Sequence, residues 1–260
     1  MIRYHVRLLL CILSSGLIVT LFAQAKKTPF SAKQLSLSIV KSYPHDETAY
    51  TQGLIFHDNL LYEGTGQRGS STLRKVKLNN GVVLQMHQLE DQFFGEGVTI
   101  LHDKIYQLTW ESNIGFIYDL SSFQLIEQIY YPTEGWGLTT DQTNLILSDG
   151  SEFLYWYDPA SFSEVSSLRV HDNGMPVKGL NELEYVNGQI FANVYPTDYI
   201  VRIDATSGEV TGWLDCSSLL TSAERRYAEV LNGIAYNDRT EHFYLTGKFW
   251  PVLHEVQITE

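Results

Sequence analysis

The sequence predicts an all-β fold, a five-bladed β-propeller with one short helical insertion near residues 218–230. Helical periodicity is scarce, because apolar residues recur at steps of three and four only within that segment. Elsewhere, short runs of β-branched and aromatic residues alternate with Asn-Gly, Ser-Gly and Asp-Pro turns, a pattern typical of hairpins. The hairpins also recur at a regular interval.

Five similar segments begin the repeating units, and each leads into an apolar run that is predicted to be a strand. They are residues 50–54, 95–98, 135–138, 181–184 and 232–235. The markers Gly53, Gly97, Gly137, Leu183 and Gly233 are separated by 44, 40, 46 and 50 residues. Propeller blades of four strands repeat about every 40 to 50 residues. We therefore expect five blades, with these segments forming loops before the innermost strands, around the mouth of a central channel.

The last unit is one strand short of a complete blade. The chain ends soon after the strand-like run 253–258, and the N-terminal run 35–40 is available to supply the missing strand. Pairing of the two chain ends would remove the exposed edge between the first and last blades. A pair of β-sandwiches is the alternative arrangement of the same strands.

The first 25 residues have the features of a secretory signal peptide. Arg3 and Arg7 precede an apolar run over residues 8–22, and the tripeptide Ala-Gln-Ala at 23–25 offers a cleavage site. The run is short for a membrane span, so an uncleaved anchor is the alternative that we favour less. We expect residues 26–260 to form a single catalytic propeller domain. This domain would be periplasmic or secreted, and not inserted in the membrane after cleavage.

The charge and the cysteine content narrow the classes of function. The chain has 18 Lys and Arg against 30 Asp and Glu, a net charge of −12, and a field of this sign repels phosphate. Nucleic acid and anionic lipid are therefore not expected partners, and a monomer is expected. Cys216 is the only cysteine after the predicted cleavage site, so the core and not a disulfide must stabilise the fold. The histidines are scattered and no HExxH or CxxC motif is present, which argues against a catalytic zinc.

The repeated segments differ in the side chains that they would place at the channel mouth. The first four carry Gln52, Glu96, Trp136 and Asn181, and Lys248 follows a strand of the fifth unit. A pure scaffold would repeat its residues, whereas unequal polar residues at equivalent places indicate a site. Each residue taken alone has a plainer explanation. Glu96 would be a solvated turn acid, Trp136 a core aromatic, Asn181 a turn residue and Lys248 a surface lysine.

Glu96 is the candidate reactive group. It lies within residues 93–97 (Phe-Phe-Gly-Glu-Gly), where aromatic rings and glycines surround a single carboxylate. An acid in apolar surroundings is desolvated, which raises its pKa. A glutamate with a raised pKa is able to accept and return protons near neutral pH.

Nine ordered motifs resemble those of the plant and bacterial glutaminyl-peptide cyclotransferases, a family of five-bladed propellers. The similarity runs from about Tyr43 to Val256. The motifs are YTQGL (50–54), EGTGQ (63–67), FGEGVT (94–99), QLTW (107–110), GWGLT (135–139), NELEY (181–185), ANV (192–194), LNGIAY (231–236) and TGKFWP (246–251).

The resemblance assigns a role to each matching position. It implies that Glu96 is the catalytic acid/base and that Gln52, Asn181 and Lys248 make polar contacts to the substrate. It also implies an aromatic substrate-binding wall, formed by Tyr50, Phe94, Trp110, Trp136 and Tyr195. Tyr195 stands where the family usually has tryptophan, and Tyr50 where it commonly has phenylalanine. Substrate affinity or preference is therefore expected to differ from that of relatives with the usual residues.

The implied reaction is cyclisation of the N-terminal glutamine of peptides or proteins to pyroglutamate, with loss of ammonia and no required cofactor. A structural calcium ion is left open, because Glu63, Asp149, Glu182 and Glu184 offer suitable oxygens but no specific spacing. These four are otherwise structural acids. Two other functions are left open as well: a non-catalytic propeller that binds peptides, and a metal-dependent propeller lactonase.

Overall fold

The protein is built almost entirely from β-strands. In the computed structural model of this chain the described residues are 30–260, so the predicted signal peptide (1–25) lies outside them. Over residues 30–260 the chain forms 22 strands and one 3₁₀ helix of three residues. No helix in this range is long and apolar enough to cross a membrane.

The strands follow one another through short turns. The first eleven are β1 (Lys33–Pro44), β2 (Thr51–His57), β3 (Leu60–Thr65), β4 (Thr72–Lys77), β5 (Val83–Gln88), β6 (Gly95–Leu101), β7 (Lys104–Thr109), β8 (Ile114–Asp119), β9 (Leu125–Tyr130), β10 (Leu138–Thr140) and β11 (Leu145–Ser148). The next eleven are β12 (Phe153–Tyr157), β13 (Glu164–Arg169), β14 (His171–Asp172), β15 (Met175–Pro176), β16 (Leu180–Val186), β17 (Gln189–Val194), β18 (Tyr199–Asp204), β19 (Val210–Asp215), β20 (Leu231–Asn237), β21 (His242–Gly247) and β22 (Val252–Thr259).

Antiparallel pairing arranges these strands in groups of four. Three sheets contain four strands each, in the orders β2-β3-β4-β5, β6-β7-β8-β9 and β10-β11-β12-β13. An eight-stranded sheet runs in the order β16-β17-β18-β19-β1-β22-β21-β20, and β14 and β15 form a separate small hairpin. The eight-stranded sheet consists of two further groups of four, which meet where β1 pairs with β19.

Strand β1 joins the two ends of the chain. It pairs antiparallel with β22 from Ser36↔Thr259 to Pro44↔Val252, with a register shift after Ile39. This confirms the prediction that the N-terminal run completes the last group of strands. At its start β1 also pairs in parallel with β19, through Lys33↔Gly212 to Leu35↔Leu214.

The first strand of each group lies in a closed ring of neighbours. Strand β2 contacts β6 and β20, β10 contacts β6 and β16, and β16 contacts β20. Most residues of these five strands are buried on both faces. Five hydrophobic clusters fill the spaces between adjacent groups of strands, so that every group packs against two others.

The ring is tight because glycines line its contacts. A Cβ atom added at Gly137 would lie 1.9 Å from the carbonyl oxygen of Asn181, and one at Gly53 would lie 2.4 Å from the amide nitrogen of Val98. Only glycine allows neighbouring strands to approach this closely. Glu182 lies in β16 and links this strand to β2 and β20, because its carboxylate accepts from the amides of Leu54 in β2 (3.1 Å) and Ile234 in β20 (2.7 Å).

Four ring strands carry a β-bulge close to their first residues. The register shifts lie between Thr51 and Gly53, Gly95 and Val98, Leu180 and Leu183, and Leu231 and Ile234. A bulge interrupts the alternation of a strand and points a side chain in a new direction. The predicted placement of the repeated segments is therefore wrong for four of the five, which are the bulged beginnings of the innermost strands, whereas most of segment 135–138 is a loop before β10, as predicted.

The predicted helix near residues 218–230 is reduced to a single turn. The only helical element there is the 3₁₀ helix Glu224–Arg226. Leu219 and Leu220 enter a core cluster, but Tyr227, which the helical spacing would place on the same side, is 81% exposed. Glu224 instead accepts hydrogen bonds from the backbone and the hydroxyl of Thr221, which closes one turn without continuing it.

Candidate active site

One pocket lies at the end of the ring where the first strands begin and the second strands end. Its lining is formed by the nine side chains that the sequence singled out, namely Tyr50, Gln52, Phe94, Glu96, Trp110, Trp136, Asn181, Tyr195 and Lys248. The chain visits this end twice per group, on entering the first strand and on leaving the second. Trp110, Tyr195 and Lys248 follow β7, β17 and β21 directly. The pocket encloses about 190 Å³.

Glu96 is buried at the bulge of β6, with 4% of its surface exposed. Its Oε1 atom accepts a hydrogen bond of 2.8 Å from Nε2 of Gln52. Burial raises the pKa of Glu96 well above its ordinary value, and the charge of Glu134 acts in the same direction. The Lys248 ammonium and the Gln52 hydrogen bond oppose this rise. The carboxyl group is therefore able to bind and release a proton under mild conditions.

Gln52 is held in one orientation. Its Oε1 atom accepts from Nδ2 of Asn232 at 3.2 Å, and the same Nδ2 donates to the carbonyl of Thr51 at 3.0 Å. The amide nitrogen of Gln52 must therefore face Glu96. Asn232 comes from the bulge of β20, so the fifth ring strand supports the site from behind without lining the pocket.

Lys248 brings a cation into the same pocket. Its Nζ atom lies 4.6 Å from the centroid of the Tyr50 ring and 5.0 Å from that of Tyr195, distances typical of cation–π contacts. The residue is only 3% exposed. Burial lowers the pKa of Lys248, while the charges of Glu96 and Glu229 oppose that effect.

The aromatic wall consists of two groups of rings in contact. Phe94 lies 5.6 Å from Trp110 and 5.8 Å from Tyr50, measured between ring centroids. Trp136 and Tyr195 meet edge to face at 5.6 Å. Such pairs have the geometry that aromatic quadrupoles favour, so they keep the pocket open and apolar.

Asn181 supplies a polar atom that lacks a partner within residues 30–260. Its Oδ1 atom is buried and accepts no hydrogen bond from that part of the chain. Its backbone carbonyl is fixed by the hydroxyl of Ser148 at 2.7 Å. A buried acceptor without a partner is costly unless a ligand satisfies it. Asn181 also lines the pocket, so a bound molecule that reaches this oxygen would satisfy it.

Two residues that contribute to the site were not found from the sequence. Asn232 orients Gln52, and Glu134 accepts hydrogen bonds from both tryptophans of the wall. Asn232 occupies the same place in its repeated segment as Asn181 does in another, and this equivalence was the available signal. Glu134 precedes the segment 135–138, and no pattern in the sequence distinguishes it from other surface acids.

The four acids named as alternative calcium ligands each have protein donors. Glu63 accepts from Thr51 at 2.7 Å and pairs with His45 at 3.0 Å. Asp149 accepts from the backbone of Ser151, and Glu184 from that of Tyr236. Glu182 bridges two ring strands as described above. Within residues 30–260 no group of three or more His, Cys, Asp or Glu is arranged to hold a metal ion.

The fold and the pocket define a class: an all-β protein with one buried carboxyl group, that of Glu96, in an aromatic pocket. Comparison with known proteins is consistent with this class. The family model for glutamine cyclotransferase matches residues 12–258. The chain is 38% identical over 229 residues to a glutaminyl-peptide cyclotransferase of Arabidopsis thaliana, covering 86% of this chain and 72% of the relative.

A solved structure gives the same result. The crystal structure of Myxococcus xanthus glutaminyl cyclase superimposes with a TM-score of 0.80 and 35% identity, over 87% of this chain and 98% of the other. The chain belongs to the glutamine cyclotransferase family.

Proposed function

We propose that this pocket cyclises the N-terminal glutamine of peptides or proteins to pyroglutamate and releases ammonia, with Glu96 as the only acid/base group. The observation that carries the proposal is the buried Glu96 carboxyl with its raised pKa, hydrogen-bonded to Gln52 inside an aromatic pocket. Family membership supports the reaction, and the contacts of Glu96 support the roles that we propose for the residues.

The chemistry requires one proton to move between two nitrogens. The neutral α-amine attacks the side-chain carboxamide carbon of the same residue, which forms the ring C–N bond. The Glu96 carboxylate takes a proton from the attacking nitrogen and then returns it to the departing nitrogen as the old C–N bond breaks. Ammonia leaves, and the carboxylate is restored. General acid–base catalysis of this type contributes about 10² to 10⁴ in rate.

Negative charge develops on the carboxamide oxygen during attack. Lys248 is the one basic residue among those that line the pocket, and each well-placed donor in a dry site is worth about 3 kcal/mol. The Oδ1 atom of Asn181 is suited to accept from a substrate N–H, which would satisfy its missing hydrogen bond. The aromatic wall then holds the bent glutamine conformer, so that amine and carboxamide stay close together.

The size of the pocket agrees with a single terminal residue. Its 190 Å³ lies below the roughly 300 to 1,000 Å³ of pockets that enclose drug-sized ligands. We infer that the first residue of the substrate enters the pocket while the following residues lie at its open side. Peptides and proteins with N-terminal glutamine are therefore both accepted.

We also propose that the fold is a five-bladed β-propeller. The closed ring of first strands, the five groups of four strands and the five clusters between them support this arrangement. The eight-stranded sheet then corresponds to two blades joined through β1. Counting blades in an experimental map of the purified protein would test this.

Export of the chain remains a proposal that follows from its first 25 residues. We propose cleavage after residue 25, a mature single domain over residues 26–260 in the periplasm or outside the cell, and a monomer without affinity for nucleic acid. N-terminal sequencing of the exported protein tests the cleavage, and light scattering after gel filtration tests the monomer.

The activity is tested by incubating the purified protein with a Gln-initiated dipeptide and measuring ammonia. We expect release to continue after dialysis against EDTA, because the proposed steps use only side chains of the protein. Release that EDTA abolishes would favour a metal mechanism such as that of a lactonase-type site. Tight peptide binding without any release would favour a non-catalytic binding propeller.

A further inference from the structure

We propose that Glu134 is a positioning residue of this pocket, because its carboxylate holds the indole rings of Trp110 and Trp136 in a fixed relative orientation. The inference rests on the proposed cyclisation, since the two indoles then form the walls that bind the terminal glutamine. Glu134 itself is not part of the pocket lining.

The geometry is that of one acceptor shared by two walls. The Oε2 atom of Glu134 accepts from Nε1 of Trp110 at 2.8 Å and from Nε1 of Trp136 at 3.0 Å. An indole N–H can only donate, and an ionised acceptor makes stronger hydrogen bonds than a neutral one. Both N–H groups are therefore satisfied by the same oxygen, which ties the two rings to each other.

The two rings belong to different sheets. Trp110 follows β7 in the sheet β6-β7-β8-β9, and Trp136 precedes β10 in the sheet β10-β11-β12-β13. Their relative orientation therefore does not follow from one rigid sheet. A backbone hydrogen bond from Gly135 to Trp110 ties the two loops, and the shared carboxylate adds a constraint between the two side chains, so the width of the slot between the rings depends on Glu134.

The backbone that carries Glu134 is itself anchored. The amide of Gly135 donates to the carbonyl of Trp110 at 3.1 Å, and the amide of Trp136 donates to that of Ser148 at 2.9 Å. A Cβ atom at Gly135 would lie 2.4 Å from the hydroxyl of Tyr131, so this close approach requires glycine. The carboxylate therefore extends from a fixed point between the two walls.

Glu134 also acts on Glu96 through its charge, and this effect can be measured separately in a pH profile. Its negative charge raises the pKa of Glu96, in addition to burial and against the charge of Lys248. The other titratable groups that interact with Glu96 are Tyr50 and Tyr131. Burial raises the pKa of both phenols, that of Tyr50 to about 12, so they stay neutral in the assay range.

The test compares Glu134→Gln, which removes the charge, with Glu134→Asp, which keeps the charge but shortens the reach by one methylene. For Glu134→Gln we expect KM for a Gln-initiated dipeptide to rise about tenfold, equivalent to about 1.4 kcal/mol, with little change in kcat. The acid limb of its kcat/KM profile should also move to lower pH, because Glu96 loses a neighbouring negative charge. For Glu134→Asp we expect the rise in KM without the shift of the limb.

The matched control is Glu164→Gln, which removes the same charge from an exposed position on the outer strand β13. It should reproduce the wild-type KM and pH profile. A Glu134→Gln variant with the wild-type KM would overturn the positioning role, whatever its acid limb, because the shift of the limb reports only the lost charge.

A spectroscopic measurement keeps the two proposals distinguishable. If the wild-type protein releases no ammonia, the proposed function fails, and near-UV circular dichroism of the tryptophans then decides the role of Glu134. A changed tryptophan band in Glu134→Gln but not in Glu164→Gln supports the positioning role. An unchanged band contradicts it.

Discussion

Replacing Glu96 by glutamine should separate catalysis from stability more sharply than any other single change. The amide keeps the size of the carboxyl, and its oxygen can still accept the 2.8 Å hydrogen bond from Gln52, whose orientation Asn232 fixes. The group can no longer take and return a proton. We expect kcat/KM to fall about 10² to 10⁴, which corresponds to roughly 3 to 5 kcal/mol at about 1.4 kcal/mol per tenfold change.

Glu96→Gln should lower activity but raise the free energy of unfolding at pH values above the ordinary pKa of glutamate. The pKa of Glu96 is raised in the folded protein, so the folded state binds its proton more tightly than the unfolded chain does. The stabilising contribution is complete below the ordinary pKa of 4.5 and is lost as the pH rises through the folded value. Each unit of difference is worth about 1.4 kcal/mol. Glu96→Gln has no such loss, so its advantage over the wild type grows with pH.

The assay pairs ammonia release with urea unfolding at pH 5 and pH 8. Glu182→Gln is a matched control, because Glu182 is also buried with a raised pKa but accepts from two backbone amides and does not line the pocket. Glutamine has only one oxygen that can accept, so one of the two backbone amides would lose its partner in Glu182→Gln. We therefore expect the free energy of unfolding to fall by about 1 to 3 kcal/mol. Near-wild-type turnover in Glu96→Gln, or a destabilisation as large as that of Glu182→Gln, would refute the reasoning.

Three further predictions concern the cation, the substituted aromatic residue and the pH dependence of the fold. Lys248→Met should lower kcat about 10² to 10³, as for a lost oxyanion donor. It should also move the acid limb of kcat/KM to higher pH, because the charge that lowers the pKa of Glu96 is gone. Steady-state kinetics as a function of pH measure both effects. Tyr195→Phe should keep KM within about threefold of the wild-type value, since the ring that contacts Lys248 and Trp136 is retained. Tyr195→Ala should raise KM about tenfold, because the aromatic and cation contacts, worth roughly 1 kcal/mol or more, are lost. Similar KM values for the two variants would contradict this role. Glu184, like Glu96 and Glu182, has a raised pKa and should lower the unfolding free energy as the pH rises above 4.5, whereas the lowered pKa values of His87 and His254 act in the opposite direction. Denaturant titrations at pH 5 and pH 8 should therefore show a smaller fall, or a larger rise, for Glu184→Gln than for the wild type, and an equal change in both would count against this role of Glu184.

Much of the fold could be predicted because it depends on local patterns. Turn dipeptides and short apolar runs predicted hairpins, and the period near 40 to 50 residues predicted their grouping. The pairing of β1 with β22 was predicted from a missing strand. The predicted helix failed because its apolar residues do not share one face: Leu219 is buried while Tyr227 is exposed. Periodicity over so short a segment does not determine which residues the rest of the protein covers.

The residues that line the candidate site were predicted more completely than the residues that hold them in place. All nine proposed residues meet in one pocket, because the unequal residues of a repeat and the family resemblance point to the same positions. Asn232 and Glu134 were missed, since they act through Gln52, Trp110 and Trp136 and not on the pocket surface. An acceptor shared by two side chains from different sheets leaves no trace in sequence spacing.

The sequence by itself therefore determined the strand-rich fold and the repeat, since these follow from local chemistry and order along the chain, and its resemblance to a known family pointed to the pocket residues. Only the tertiary structure decided how Glu96 behaves. The bulge of β6 turns it inward, burial removes its water, and Gln52, Lys248 and Glu134 arrive from three other places in the chain. The pKa of a carboxyl group depends on solvation and on charges close in space, and distance in space is what the order of residues does not record.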